Sequence, residues 1–550
     1  MKKDKAASLL IGLGFLAYLA PVLILCATPP FARDALIHHL AIPKIWLRSG
    51  GMCEIPWAPY SYHPMNLQLL YWACLFFKSD IAPKFVNMAF GLGTGLLIFS
   101  YLRTRVSLAW AGFGSLFFLT VPVILKLQTT VYVDLGLAFF ISASVLVLLK
   151  WMDQGYGFNR WLVLAAFCMG LAVGTKPNGL LAWGLVCMLL VFFAARDNAQ
   201  SQWKAIWWGG LFFLITLLVV SPWYIKNYLL TGNPFYPLFA SGSSAYPLLS
   251  NDKVGADLSI FYLRQQLYGE GLLDYILIPV RLFFSGQDDT PQFFDGVLNP
   301  LLLVLAPFAF GLKSQRKHTV FMGLFCLLFL ILAFLKSVPR VRYVVCIVPF
   351  LAIMATMGLV YMQTLTARAG LGKKIFQVWL PVLIAVLGLG YNARYLHTYF
   401  LKVNPMPYVL GQESRDTFLE KHVGEYKVVK FINENLPKDA RIMLLYMGRR
   451  GYYLDRDYFH CNVGGLREVT QIVQDVLDGK SSAERLRSYG GTHVLMKTDF
   501  LLKEVAHKYD QAQVELFVDR FQKENTFLFQ DFPYAVLKIG RAPGQPMENR

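Results

Sequence analysis

Runs of about 17 to 22 apolar residues recur through the first 390 positions of this 550-residue chain, and a run of that length satisfies its own backbone only as a helix crossing a bilayer. Nothing else in the sequence constrains the fold as strongly. Helical spans are expected at roughly 8–28, 84–102, 107–125, 132–150, 160–175, 178–195, 205–222, 299–312, 319–335, 342–361 and 376–392. The fold class is an α-helical polytopic membrane protein of about eleven transmembrane helices. The opening MKKDK and the apolar run behind it look like a signal peptide. The run is long and many others follow, so it reads as an uncleaved first span.

Lys and Arg stay on the cytoplasmic side of such bundles. With the N-terminus inside, the inner loops are MKKDK, YLRTRVS, KWMDQGYGFNRW, ARDNAQSQWK, KSQRKH and TARAGLGKK, and every one is basic. The net charge is +18, of which about 15 falls in residues 1–393, mostly in these short loops. Topology accounts for it, and no nucleic-acid partner is implied. The outer side then receives residues 29–83, the turn at 126–134, the Thr175-Lys176-Pro177-Asn178 turn, the loop 223–298, the turn at 336–342 and the whole C-terminus.

From residue 393 the charges become dense and nearly balanced, and no further span appears. Helix-like EYKVVKFINENLP and LREVTQIVQDVLDG alternate with strand-like ARIMLLYM, THVLMKT and YAVLKIG, the pattern of a small extracytoplasmic α/β domain. The expected domains are a membrane domain, 1–392, and a soluble one, 393–550. Residues 35–48 and 66–77 are apolar but too short to span, and read as helices lying in the interface. Of eight cysteines, six sit in apolar runs, leaving Cys53 and Cys461 in water, with no CxxC pair and no zinc spacing. Whether those two are free is open.

The polar residues of interest gather on the outer side. Asp34 follows the first span and, taken alone, is a solvated flank or the N-cap of the next helix. Its company argues otherwise: Asp134 stands at a second outer boundary, and Lys176, Arg340 and Arg342 arrive on the same side against the retention rule. A phosphate ligand would give those cations a reason. On a helix His38 shares the face of Asp34 while His39 turns away, which gives too few ligands for a metal. Asp288 and Asp289 lie among turn formers and read as solvated.

The sequence resembles the C-type (GT-C) integral membrane glycosyltransferases, in the bacterial branch related to protein O-mannosyltransferases and the lipid A aminoarabinose transferase. The likeness rests on Asp34 and its juxtamembrane helix, YHPMNLQLLYW, VYVDLGLAFF with Asp134, GTKPNG, SPWYIKNYLLTGNPFYP, RYVVCIVP, and GQESRDTFLEKHVGEYKVVKFINENLPKDARIMLLY with YYLD in the outer domain. It implies transfer of a sugar, hexosyl or pentosyl, from a polyprenyl-phosphate donor to a glycolipid, glycan or protein acceptor. The reaction would invert the anomeric carbon, on the outer face of a bacterial plasma membrane. Asp34 would be the general base; Lys176, Arg340 and Arg342 would bind the donor phosphate. Asp134, Tyr62, His63, Lys226, Asn227 and Tyr343 would orient acceptor or substrate. Many relatives carry an Asp-Glu pair where this chain has Asp34-Ala35. No cofactor is certain for that reason, and a divalent metal stays possible.

Elementary chemistry agrees: a lipid phosphate departs as a weakly basic anion, so one base and a set of cations suffice where a glycosidase pairs two carboxylates. A transporter or flippase of an anionic lipid-linked substrate is the alternative, but transporters place charges near the midplane between repeats. A purely structural membrane partner leaves the charged group without a purpose.

Overall fold

The computed structural model describes residues 2–197, 201–237, 260–336, 339–368, 374–460 and 466–540. By its contacts the chain forms two compact units. One is made of Met1–Pro30, His63–Tyr236 and Asp257–Gln412; the other joins Phe31–Tyr62 to the residues from Glu413 onward.

The first unit is the helical bundle. Among the described residues eight helices are long and apolar enough to cross a membrane: Leu9–Cys26, Ala82–Leu102, Asp134–Asp153, Asn178–Ala195, Gln202–Thr231, Lys313–Phe334, Val341–Leu365 and Trp379–Val403. The other three expected spans are helical too. Leu108–Thr120 and Pro122–Gln128 form one path bent by 67°, and Arg160–Val173 and Leu301–Gly311 are shorter. The bend has a local cause: Val121, preceding Pro122, is forced out of the helical region to ψ 131°. Residues 107–125 were expected as one straight span, and Pro122 divides them.

Two further boundaries differ from expectation. The Gln202–Thr231 helix runs through Pro222 and nine residues past it, so the start of the SPWYIKNYLLTGNPFYP stretch is helix rather than loop. It stops where Gly232 takes the left-handed conformation at φ 72°. The last bundle helix extends to Val403, beyond the expected end at 392.

Polar side chains tie neighbouring helices by donating to main-chain carbonyls: Ser115 to Gly95 (2.8 Å), Ser144 to Ala165 (2.7 Å) and Thr216 to Ala166 (3.1 Å). Val341–Leu365 and Asp134–Asp153 are the most enclosed spans, with 89% and 72% of an 18-residue apolar stretch of each buried. Helices apolar on every side belong at the centre of a bundle. Whatever polar groups stand at their first residues are therefore held by packing.

Part of the expected outer loop 223–298 is ordered by a buried ion cluster. Arg264, on the helix Ile260–Tyr268, is 1% exposed and clamps Glu270 with two hydrogen bonds of 2.5 and 2.7 Å, while Arg281 reaches the same carboxylate at 3.0 Å. Burial alone would raise the Glu270 pKa, but the two guanidinium groups hold it below the ordinary range.

The second unit contains a five-stranded sheet in the order β2-β1-β3-β5-β4, with β1 Arg441–Leu445, β2 Asp457–His460, β3 His493–Lys497, β4 Thr526–Asp531 and β5 Tyr534–Lys538. β1 pairs parallel with β2 and β3, and β5 antiparallel with β3 and β4. Alternation in β1 explains the layers. Ile442 and Leu444 pack with Val428, Val429 and Ile432 of the helix Tyr426–Asn435, while Met443 and Leu445 pack with Val469, Ile472 and Val473 of the helix Leu466–Leu477. A strand covered on both faces reads as the unbroken apolar run that RIMLL is.

Phe31–Tyr62 docks onto this α/β layer. Lys44 donates to the carbonyls of Tyr452 (2.7 Å) and Leu454 (3.1 Å) and pairs with Asp455 at 2.9 Å. The Tyr452 N–H is satisfied by the Leu36 carbonyl at 3.2 Å.

Candidate functional site

In the bundle the charged residues come together at the starts of the two most enclosed helices. Asp134 is the first residue of Asp134–Asp153, where the positive end of the helix dipole favours a carboxylate. Its Oδ1 accepts from Lys176 Nζ at 2.6 Å; the carboxylate is 2% exposed and the lysine 19%. Asp134 Oδ2 is buried with no hydrogen-bond partner among the described residues. Lys176 also lies 5.2 Å from the centre of the Tyr343 ring.

Arg342 and Tyr343 sit on a single 3-10 turn, Val341–Ile347, that leads into the Val348–Arg368 helix. The Arg342 guanidinium lies over Tyr132 at 5.2 Å and over Tyr343 at 5.3 Å. Stacking engages the faces of a guanidinium and not its in-plane N–H donors. Arg340, two residues earlier, is placed differently: it pairs with Asp295 at 3.5 Å.

The GTKPNG turn that carries Lys176 is shaped by close packing. A side chain at Gly179 would meet the Ala172 carbonyl and the Val173 Cα at 2.7 Å, and one at Gly174 would run into the Asn66 amide. Asn66, in turn, receives the Trp223 indole N–H at 2.8 Å and takes its own N–H bond to the Gly174 carbonyl at 2.9 Å. Asn66, the GTKPNG turn and the Gln202–Thr231 helix are thereby locked together. Lys226 lies over the Trp223 ring at 5.1 Å. Asn227 is 2% exposed and donates to the Pro234 and Tyr236 carbonyls at 3.3 and 3.2 Å, closing the turn after its helix. His63 is half-buried just ahead of the helix Asn66–Phe76.

Sequence reasoning missed Lys84. It is 2% exposed, with Nζ 2.9 Å from Thr28 Oγ1 and within 3.4 Å of the Leu25 and Pro29 carbonyls at the end of the first helix. The signal was there: like Lys176 and Arg342, it is a cation at a span boundary that the basic-loop rule expects on the outer side. Asp288 also departs from expectation. It is an ion-paired group, 3.0 Å from Lys126 and 2.6 Å from the Tyr395 hydroxyl, rather than a solvated turn residue. Its neighbour Asp289 bridges Lys126 (3.3 Å) and Lys402 (2.8 Å). Burial would raise the Asp289 pKa, but the Lys402 hydrogen bond and the Lys126 charge leave it lowered.

Asp34 belongs to the second unit. It occupies the N-cap of Ala35–His39 yet makes no side-chain cap bond, so helix capping does not explain it. That segment is a π turn, closed by Leu40 N–H to the Ala35 carbonyl at 2.9 Å, and not the α-helix that the His38 argument assumed. His38 stacks on Tyr60, with ring centres 4.5 Å apart, and touches His39 at 4.0 Å. Tyr62 is 4% exposed and donates to Glu54 at 2.6 Å. Among the described residues no three His, Cys, Asp or Glu side chains are grouped to hold a metal ion. Cys53 is an exposed free thiol; Cys461 lies outside the described residues.

A family model described as dolichyl-phosphate-mannose-protein mannosyltransferase matches residues 74–235, the region that carries Asp134 and Lys176. No curated protein matches the chain. Among solved structures, ArnT from Cupriavidus metallidurans bound to undecaprenyl phosphate is 14% identical over 98% of this chain and 99% of that one, with a TM-score of 0.55. Its apo state gives 15% identity over 97% and 98%, with a TM-score of 0.54. The Archaeoglobus fulgidus oligosaccharyltransferase, tethered with an acceptor peptide, is 11% identical over 96% of this chain and 74% of that one, with a TM-score of 0.54. What this chain shares with them along nearly its whole length is the fold.

Proposed function

We propose that the protein transfers a sugar from a polyprenyl-phosphate donor to an acceptor hydroxyl on the outer face of the membrane, inverting the anomeric carbon. The observation that carries this reading is the Arg342 guanidinium held between Tyr132 and Tyr343, with Lys176 tied to Asp134 beside the same tyrosine. The fold supports it, as does the match to a mannosyltransferase family model.

In the reaction the acceptor oxygen forms a bond to the anomeric carbon as the bond from that carbon to the phosphate oxygen breaks, and the lipid phosphate leaves with the electron pair. Asp34 takes the acceptor proton. Arg342 and Lys176 bind the phosphate and stabilise the charge that grows on it, and Asp134 fixes the lysine. Arg340 adds less, because Asp295 already balances its charge. Tyr343, Tyr62, His63 and Lys226 orient substrate, whereas the Asn227 amide is committed to its turn. The N-terminus is cytoplasmic and the second unit lies outside a bacterial plasma membrane.

Cations at helix starts on one side favour a transferase over a transporter, which needs its site near the midplane. Mass analysis of envelope glycans with and without the protein tests the reading. One sugar residue should disappear from one acceptor. An unchanged glycan profile, with the lipid-linked sugar stranded on one leaflet, would support transport instead.

A further inference from the structure

The second unit holds a cavity that plays no part in the reaction just described. It measures about 250 Å³ and lies where the segment 45–57 crosses the first residues of β1 and β2. Arg48, Glu54, Trp57, Arg441, Asp457 and Tyr458 line it, and Cys53 stands at its edge. Arg441 and Asp457 are register partners on the two strands, yet they make no ion pair with each other, and the Asp457 carboxylate has no hydrogen-bond or ion-pair partner among the described residues. Opposite charges that stand side by side in a cavity wall without pairing leave donors and acceptors for a ligand in the cavity.

The chemistry of the lining narrows the ligand. An anion such as phosphate would meet the Glu54 and Asp457 carboxylates, and a cation would meet Arg48 and Arg441, so charge selects against both. A neutral ring bearing several hydroxyls uses donors and acceptors alike. Trp57 and Tyr458, 5.3 Å apart and inclined at 56°, supply ring surface for its C–H face, and the Trp57 indole N–H makes no hydrogen bond among the described residues. The volume is below the about 300–1,000 Å³ of pockets for drug-sized ligands and fits one ring.

We propose that this cavity binds a neutral sugar ring. In the reaction proposed above, on which this part rests, that ring is a unit of the acceptor glycan or glycolipid.

Cys53 reports on the cavity directly. The full-length protein in detergent is alkylated with iodoacetamide, with no donor present, and the rate at Cys53 is read by site-localised mass spectrometry against methyl glucoside, methyl mannoside or N-acetylglucosamine. At least one of these should slow the reaction saturably, by about tenfold at ten times its half-maximal concentration. Phosphate should not. Asp457→Ala and Trp57→Ala should each raise the half-maximal concentration about tenfold, and because Trp57 also packs against both cores, the exposed Asp457 position decides if the Trp57 variant fails to fold. No protection by any glycoside, equal protection by phosphate or by a Ser/Thr-rich peptide, or protection unchanged in Asp457→Ala would overturn the proposal. Because protection is read without donor and transfer in a separate assay with a polyprenyl-phosphate sugar, protection in the first with no transfer in the second would count against the reaction alone, and transfer without protection against the cavity alone.

Discussion

Asp134 and Lys176 show what a buried ion pair asks of its residues. Removing one partner strands the other charge, which costs about 3–5 kcal/mol, whereas replacing both with neutral groups is close to neutral. Lys176→Met should therefore lower the melting temperature sharply, and Asp134→Asn with Lys176→Met should recover most of that loss. Affinity for a polyprenyl phosphate should stay low in both, because the phosphate loses the same cation; recovery of binding in the double variant would show that Lys176 acts only through stability. Arg342→Lys should leave stability within about 0.5 kcal/mol but weaken phosphate binding about tenfold, since a lysine cannot lie flat between two tyrosines while presenting a fork. These residues were legible as cations at span boundaries where the basic-loop rule expects none. The same signal did not separate Arg342 from Arg340, because pairing with Asp295 is a tertiary fact, and it was overlooked at Lys84.

Among the elements, hydropathy located all eight helices that are long and apolar enough to cross a membrane among the described residues, since burial in lipid leaves a long apolar run no other fate. Where helices bend or stop depends on single residues. Pro122 bends the chain because Val121 is pushed into an extended conformation, while Pro222 is carried inside a thirty-residue helix. A proline costs one N–H bond in either place, and tertiary packing decides whether the helix pays it. The strands of the α/β layer were visible where both faces are covered, as in RIMLL and HVLMK. The edge strands β2 and β4 were not, because β2 is the short DYFH with polar residues at both ends and the exposed positions of β4 break its apolar run. Glycine marks a close helix approach: Gly179→Ala would push a methyl group into the backbone at Ala172 and Val173 and should cost about 1–3 kcal/mol in thermal unfolding. At the opposite extreme, Asp510→Ala removes a capping box from the helix Gln511–Glu524 and should cost about 1 kcal/mol.

At the scale of the whole molecule, the second unit draws on residues near position 40 and near position 450, a pairing that no local pattern in the sequence announces. Its stability should depend on pH through His460, whose pKa burial, with help from Arg449, pushes down to about 3. The folded state then binds no proton where the unfolded state binds one, so stability rises with pH between about 3 and 6.5 and falls on acidification, by roughly 1.4 kcal/mol per pH unit at most. Burial lowers His493 as well. Melting curves at pH 5 and pH 6.5 should differ accordingly, and His460→Gln should flatten the difference; an unchanged slope would assign it elsewhere. The central claim concerns Asp34, which holds an N-cap position without capping. The most direct test compares the wild type with Asp34→Asn, measuring sugar transfer from a polyprenyl-phosphate donor in reconstituted membranes together with donor binding. The account predicts a rate lower by about 10²–10⁴ with donor affinity within a few fold. Transfer at the wild-type rate would contradict it.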